Sequence, residues 1–185
     1  MRPQKCGICG IIKSMILINN ESLPLQSLAF PILINGADKT GASFFSVELL
    51  AEFYLSGQNI LFFSGYEMAK LTFKQRVGNA FNENRITILE DSNEGQLLKA
   101  IETMPDIANH IIYIKNFDLY KTETIREVLQ LPRLLFMGNI EIAKSKSEVI
   151  LHPWKTKISF GLENIEKYYG VIESKNLSGL IHISS

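Results

Sequence analysis

The sequence has few cysteine and histidine residues, the usual ligands of structural zinc. Its 185 residues include only two cysteines, Cys6 and Cys9, and three histidines. The histidines, His110, His152 and His182, are scattered through the far half of the chain and form no cluster. A zinc knuckle needs four ligands at suitable spacing, so the chain contains no self-sufficient site of that kind.

The cysteine pair leaves two interpretations open. Cys6 and Cys9 supply half of a zinc site that a second chain completes, or they belong to a poorly ordered extension over residues 1–14. The run Met15-Ile-Leu-Ile-Asn resembles the start of a strand, which favours folding from near Met15. The length and the 46% hydrophobic content then predict a single domain over residues 15–185.

Long hydrophobic runs and an excess of one charge are also absent. No apolar stretch approaches the roughly 20 residues that span a bilayer, and Met1 to Lys13 lacks the apolar centre of a secretory signal. These absences predict a cytoplasmic protein that does not contact membranes. The formal net charge is zero, so the chain as a whole is not a general binder of polyanions, although a local basic patch is compatible with it.

A glycine loop between an apolar run and a helical pattern is the most informative motif. The run Ile32 to Ile34 predicts a buried strand, and the apolar spacing over residues 43–56 predicts a helix. The loop matches the phosphate-binding pattern G-x4-G-K-[ST] at every fixed position except Ala42, which replaces the lysine. The predicted nucleotide-binding residues are Gly36, Ala37, Asp38, Lys39, Thr40, Gly41, Ala42 and Ser43.

The missing lysine leaves the role of this loop open. Glycines let successive N–H groups and a helix N-terminus converge on phosphate oxygens, and Ser43 would then hold Mg²⁺. An alanine methyl cannot replace the lysine charge, so Lys39 leans back over the phosphates or Ala42 is an engineered change that disables hydrolysis. A third interpretation is an ordinary turn whose glycines serve only the chain reversal.

Strand and helix patterns alternate along the rest of the chain. This alternation predicts an α/β fold with a mainly parallel sheet, helices on both faces and a small C-terminal β-hairpin. The hairpin turn is predicted at Asn176-Leu-Ser-Gly179. The predicted strands are 32–34, 60–64, 86–89, 110–114, 134–137, 157–160 and 170–183, and the predicted helices are 43–56, 66–77, 94–103 and 123–131.

Over residues 30–160 the chain resembles the RecA-like P-loop ATPases. Asn59-Ile-Leu-Phe-Phe-Ser-Gly-Tyr-Glu67 looks like the strand that ends in a water-activating glutamate, and the resemblance gives Glu67 that catalytic role. Ile111-Ile-Tyr-Ile-Lys-Asn-Phe-Asp118 and Leu134-Leu-Phe-Met-Gly-Asn139 resemble the Walker B and sensor strands. The resemblance implies a RecA-like core, ATP and Mg²⁺ as ligands, and a homo- or hetero-oligomer.

The Walker B strand departs from the family pattern. Lys115 stands where an aspartate is expected, and Asp118 follows three positions later as the candidate magnesium ligand beside Ser43. Lys115 then repels the metal unless its side chain turns away, or it pairs with phosphate in place of the missing lysine. The more common case is a lysine that is solvated or ion-paired at the end of a strand. Together with Ala42, this departure predicts nucleotide binding with weak or absent hydrolysis. The alternative is a non-catalytic assembly subunit.

A basic segment over residues 143–157 suggests DNA as a further partner of that subunit. Lys144, Lys146, Lys155 and Lys157 surround Trp154, and such a stretch can neutralise phosphates and stack a base of single-stranded DNA. The alternative, which we favour, is a solvated loop whose Trp154 packs on the core, because tryptophan is buried on average.

Overall fold

The computed structural model describes residues 16–18, 21–64, 67–89, 93–164, 167–175 and 177–183. Cys6, Cys9 and the predicted extension over 1–14 lie outside the described residues. The strands are β1 Ile16–Ile18, β2 Glu21–Ser22, β3 Ile32–Asn35, β4 Asn59–Phe63, β5 Ile86–Leu89, β6 His110–Lys115, β7 Leu134–Gly138, β8 Thr156–Asn164, β9 Lys167–Ser174 and β10 Leu177–Ile183.

One ten-stranded sheet contains all of these strands, in the order β2-β1-β10-β9-β8-β3-β7-β6-β4-β5. Every neighbouring pair from β8 to β5 is parallel, and every pair from β8 to β2 is antiparallel. The connections from β3, β4, β5 and β6 run through helices, as parallel neighbours require. The predicted α/β fold with its C-terminal hairpin is therefore confirmed.

Five helices cover the two faces of the parallel part: α1 Ala42–Leu55, α2 Glu67–Val77, α3 Glu94–Thr103, α4 Thr122–Val128 and α5 Lys146–Leu151. Phe45 and Phe73 of α1 and α2 belong to the core on one face. Leu97, Ile125 and Val149 of α3, α4 and α5 belong to the core on the other. In the described part of the chain, no helix has the length and apolar surface to cross a bilayer.

The prediction of a hairpin turn at Asn176-Leu-Ser-Gly179 is wrong. Leu177 and Gly179 already belong to β10, where they lie opposite Ser174 and Ile172 of β9. Leu177 packs against the core, so this residue is held in the sheet rather than in a turn. The chain therefore reverses between Ser174 and Leu177, which lie opposite each other.

A buried ion pair joins α1 to α2. The Glu48 side chain is only 3% exposed, and its Oε1 accepts a hydrogen bond from Nε of Arg76 on α2. Burying a carboxylate is costly unless a cation and hydrogen bonds compensate it. The pair therefore fixes how α2 sits on α1, the helix that follows the glycine loop.

Replacing Arg76 by leucine should destabilise the fold, because Glu48 then stays buried without this cation. We expect a loss of about 3 kcal/mol in the free energy of unfolding, measured by urea denaturation. The control is Arg126→Leu, which breaks a pair with Glu148 whose arginine side chain is 62% exposed. That change should cost less than about 1 kcal/mol, and equal losses for the two variants would contradict the proposed role of the buried pair.

Candidate functional site

The glycine loop wraps the N-terminus of α1, as the sequence pattern predicts. The backbone leaves β3 after Asn35 and turns at Lys39 and Gly41, whose φ angles are 65° and 85°. The Thr40 N–H and hydroxyl both donate to the Ala37 carbonyl, at 3.3 and 2.7 Å, which holds the loop compact. The N–H groups in the first turn of α1 have no intrahelical acceptor, so this end of the helix carries a partial positive charge.

Gly36 and Ala42 pack directly against each other at the base of the loop. A Cβ placed on Gly36 would lie 2.6 Å from the Ala42 Cβ and 2.7 Å from the Thr40 Oγ1. Ala42 is consequently 1% exposed. Glycine is required at position 36 by this close approach, and the methyl of Ala42 fills the space beside it.

A small cavity of about 70 Å³ opens beside the loop, at the carboxyl ends of β3, β6 and β7. Ligands of open α/β sheets bind at this edge of the sheet. The cavity is lined by Gly36, Asp38, Asn116, Asp118, Met137, Gly138, Asn139 and Ile142. The structure thus brings together three of the predicted site residues, Gly36, Asp38 and Asp118, whereas Lys39 is exposed and does not line the cavity.

Asp118 reaches the cavity because the chain turns sharply after β6. Asn116 adopts a left-handed conformation with φ 57°, and the next residue, Phe117, is buried and stacks on Phe136 with ring centres 4.3 Å apart. The Asp118 Oδ1 then accepts the backbone N–H of Asn139 at 3.0 Å. A carboxylate three positions after the strand end therefore lies beside the glycine loop.

Two asparagine side chains at the site were not among the predicted site residues. Asn116 and Asn139 follow β6 and β7 directly, and both line the cavity. The signal was available in the sequence, because polar residues just after neighbouring parallel strands meet at one edge of the sheet. Asn35, the last residue of β3, joins them by accepting the Ile140 N–H at 2.9 Å on its Oδ1.

Lys115 ends β6 and is partly buried near the loop. Burial lowers the pKa of the Lys115 ammonium below its usual 10.5, and the negative charge of Asp38 opposes that shift. The lysine and the loop carboxylate are thus electrostatically linked across the space between β6 and the loop.

The remaining predicted residues lie in different surroundings. The Ser43 Oγ is 4.0 Å from the Met137 Sδ, a weak contact with a cavity-lining side chain. Glu67 is the first residue of α2, and its side chain lies outside the described part of the structure. Trp154 is 9% exposed and donates its Nε1–H to the Val149 carbonyl at 2.7 Å, so the favoured interpretation, a tryptophan packed on the core, is confirmed.

The architecture defines the class of fold to which the chain belongs. Its fold is that of a RecA-like α/β core, and solved structures with this fold are similar to it. A KaiC-like protein from the hyperthermophilic archaeon Pyrococcus horikoshii has a TM-score of 0.56 and 18% identity, covering 83% of this chain and 88% of its own. The flagellar accessory protein FlaH from Methanocaldococcus jannaschii has a TM-score of 0.57 and 11% identity, with the same two coverages.

At these low sequence identities, the likeness establishes the fold alone. The chemistry of the site depends on the residues of this chain. No protein-family model and no curated protein matches the sequence. The predicted RecA-like core is confirmed by the structural neighbours.

Removing the charge of Asp38 should lower the pKa of Lys115 further, because that charge is what opposes the effect of burial. Folding lowers the pKa of Lys115. At pH values between the folded-state pKa and 10.5, the unfolded chain therefore binds more protons than the folded chain does. The free energy of unfolding consequently rises with pH across that window. Asp38→Asn should extend the window to lower pH. The measurement is an NMR titration of the Lys115 side chain, with Asp106→Asn as the control, and an unchanged or raised pKa in Asp38→Asn contradicts the link.

Proposed function

We propose that the chain is a RecA-like nucleotide-binding protein whose ATP hydrolysis is weak or absent. The observation that carries this proposal is the glycine loop over residues 36–43, which wraps a helix N-terminus at the carboxyl end of a buried parallel strand. Backbone N–H groups and the helix dipole at such a position favour a phosphate group without any side-chain charge. The RecA-like fold of the structural neighbours supports the same location.

The charges around the loop support binding of a magnesium–nucleotide complex rather than of a free nucleotide. Asp38 and Asp118 line the cavity, and two carboxylates repel the phosphates of ATP. Carboxylate and amide oxygens are ligands that suit Mg²⁺, so Asp118 and the neighbouring Asn116 and Asn139 fit the ion. The ion would offset the negative charge of both the cavity and the phosphates.

Weak hydrolysis follows from what the site lacks. None of the described residues that line the cavity is cationic, and Ala42 presents a buried methyl where the family pattern has lysine. Stabilising the charge that develops on a transferred phosphoryl group is the main catalytic task in this chemistry. Glu67 keeps its predicted role as the residue that activates water, and that role is part of this proposal.

The size of the cavity implies that the loop opens when a nucleotide binds. About 70 Å³ is well below the roughly 300 Å³ at which small-molecule pockets begin. The tip of the loop, Ala37 to Lys39, is exposed and is therefore free of core packing that would resist an outward movement. The cost of this opening reduces the affinity for nucleotide.

Restoring the lysine should strengthen nucleotide binding. A charge-assisted contact contributes about 1.5–3 kcal/mol, so Ala42→Lys should bind magnesium–ATP about tenfold or more tightly than the unchanged chain, measured by calorimetry. The control is Ser56→Lys, which adds the same charge at the exposed C-terminal end of α1. This control should leave the affinity unchanged.

Two outcomes would contradict the proposal. Equal gains in Ala42→Lys and Ser56→Lys would mean that general charge attraction, not the loop, holds the nucleotide. No binding by any of the three proteins would exclude a phosphate role for the loop. Phosphate release in the same samples should stay near the rate of the enzyme-free blank, and rapid release that Glu67→Gln abolishes would show an active ATPase instead.

The alternative function is a non-catalytic assembly subunit, and one observation favours it. Two large apolar side chains, Leu119 and Ile142, are 55% and 66% exposed at the same edge of the sheet as the cavity. Exposed apolar side chains beside a site are typical of surfaces that pack against another chain, in a homo- or hetero-oligomer. For an assembly subunit that does not bind nucleotide, we expect excess ATP and magnesium to leave the melting temperature unchanged. For a nucleotide-binding protein, we expect them to raise it.

Contact of this subunit with single-stranded DNA through residues 143–157 is the weakest part of that alternative. Trp154 is buried, so it offers no face on which a base can stack. Lys146 lies 3.1 Å from Glu141, an exposed pair that offsets one of the four positive charges. Binding that falls steeply with added salt would support this contact, and no binding at low salt would exclude it.

A further inference from the structure

A second, larger cavity lies at the opposite end of the sheet from the glycine loop. Its volume is about 570 Å³, which is within the usual range for small-molecule pockets. It is lined by Ala29, Trp154, Lys155, Lys157, Glu173, Ser174 and Lys175. These residues flank the start of β8 and the end of β9, where β8 runs parallel to β3, so this basic cavity is at the amino ends of the parallel strands.

Strand alternation places two of its lysines on one side of β8. Thr156 and Ile158 are fully buried, whereas Lys155 and Lys157 are exposed on the opposite side. The Thr156 hydroxyl donates to the Ala29 carbonyl at 2.9 Å and accepts the Ala29 N–H at 3.1 Å. The wall of the basic cavity is therefore held by two hydrogen bonds of the buried Thr156 side chain, and the lysines project from a fixed backbone.

The pairing of β8 with β9 brings the third lysine to the same place. Thr156 lies opposite Ser174, and Lys157 lies opposite Glu173. Lys155 precedes Thr156 and Lys175 follows Ser174, so both lysines lie just beyond this pair of residues, and both line the cavity. Their positive charges therefore meet at one place, which favours an anion.

The charge balance of the cavity is positive although the chain is neutral. Three lysines line it, and Glu173 is the one carboxylate among the described lining residues. The acid lies across from Lys157, so it offsets that lysine most directly and leaves Lys155 and Lys175 for a ligand. Lysine ammonium groups bind phosphate as point charges, and two of them suit a ligand with more than one phosphate.

We propose that this basic cavity binds a small anion that carries two or more phosphate groups. The cavity is short, because only residues around the start of β8 and the end of β9 line it, and this favours a small ligand over a nucleic-acid strand, which needs an extended groove and an exposed aromatic face. Trp154 contributes only an edge of the wall, because its ring packs on Phe136 and its Nε1–H is already bonded to Val149. The site is separate from the glycine loop and does not depend on the proposed function.

The test uses pyrophosphate without magnesium as the probe and follows the backbone amides of ¹⁵N-labelled full-length protein by NMR. We expect shifts at Lys155, Lys157 and Ser174. The double variant Lys155→Gln/Lys175→Gln should bind at least about tenfold more weakly, since each charged contact contributes on that order. The matched control, Lys99→Gln/Lys121→Gln, removes two exposed positive charges elsewhere and should keep the affinity.

Three results would overturn the proposal. They are the absence of shifts at the basic cavity, an equal loss of affinity in the control variant, and a tighter affinity for oligothymidylate that grows with its length. The last result would identify an extended nucleic-acid surface instead. Shifts confined to residues 36–43 also overturn it while supporting the glycine loop as a phosphate site, so the two proposals fail independently.

Discussion

The site depends on one short strand that is held on both sides. β3 has four residues, and it pairs in parallel with β7 on one side and with β8 on the other. Ile32, Leu33 and Ile34 are almost completely buried, because helices cover both faces of the sheet at this point. The Gly36 N–H continues the ladder by donating to the Gly138 carbonyl at 3.1 Å, so the first residue of the loop is fixed to β7. The loop, the cavity and the start of α1 all take their positions from this strand.

Close packing at the carboxyl edge then leaves room only for small residues. A Cβ on Gly138 would lie 2.3 Å from the Asp118 Oδ1 and 2.8 Å from the Phe117 ring, just as a Cβ on Gly36 would meet Ala42. Gly36 follows β3 directly and Gly138 ends the neighbouring strand β7, and together they let the turn after β6 approach the loop after β3. Because Gly36 and Gly138 have no side chains, there is space for a cavity between them. The same two glycines let the surrounding chain approach closely, which keeps the cavity small.

Much of this arrangement could be predicted from the sequence. Apolar runs bounded by turn residues gave correct positions for β3 to β7, because strands covered on both faces are continuously hydrophobic. The bounds of β5 and α3 agree with the prediction to the residue. Helix α5 was missed because only Val149 of its six residues is buried, which leaves no helical stripe to recognise.

The features of the sites that escaped prediction depend on tertiary geometry. Asp118 was identified as displaced from its expected position, but the left-handed turn at Asn116 that brings it to the cavity has no unique sequence signal. The basic segment around Trp154 was recognised in the sequence. Lys175, however, is 18 residues beyond Lys157 and lines the same cavity only because β8 pairs with β9. Patterns within one strand are visible in sequence, whereas pairings between strands are not.

Residue 42 links the packing of the loop to its electrostatics. An alanine here can be buried against Gly36 at no electrostatic cost, so the loop closes on itself and leaves a small cavity lined by carboxylates. A lysine at the same position would place a charge beside Gly36 and Thr40, and burying an unpaired ammonium is strongly unfavourable. The loop would then have to open, or an anion would have to enter and pair with the charge. Alanine at position 42 therefore has two effects: it leaves the loop without a cation, and it permits the loop to close.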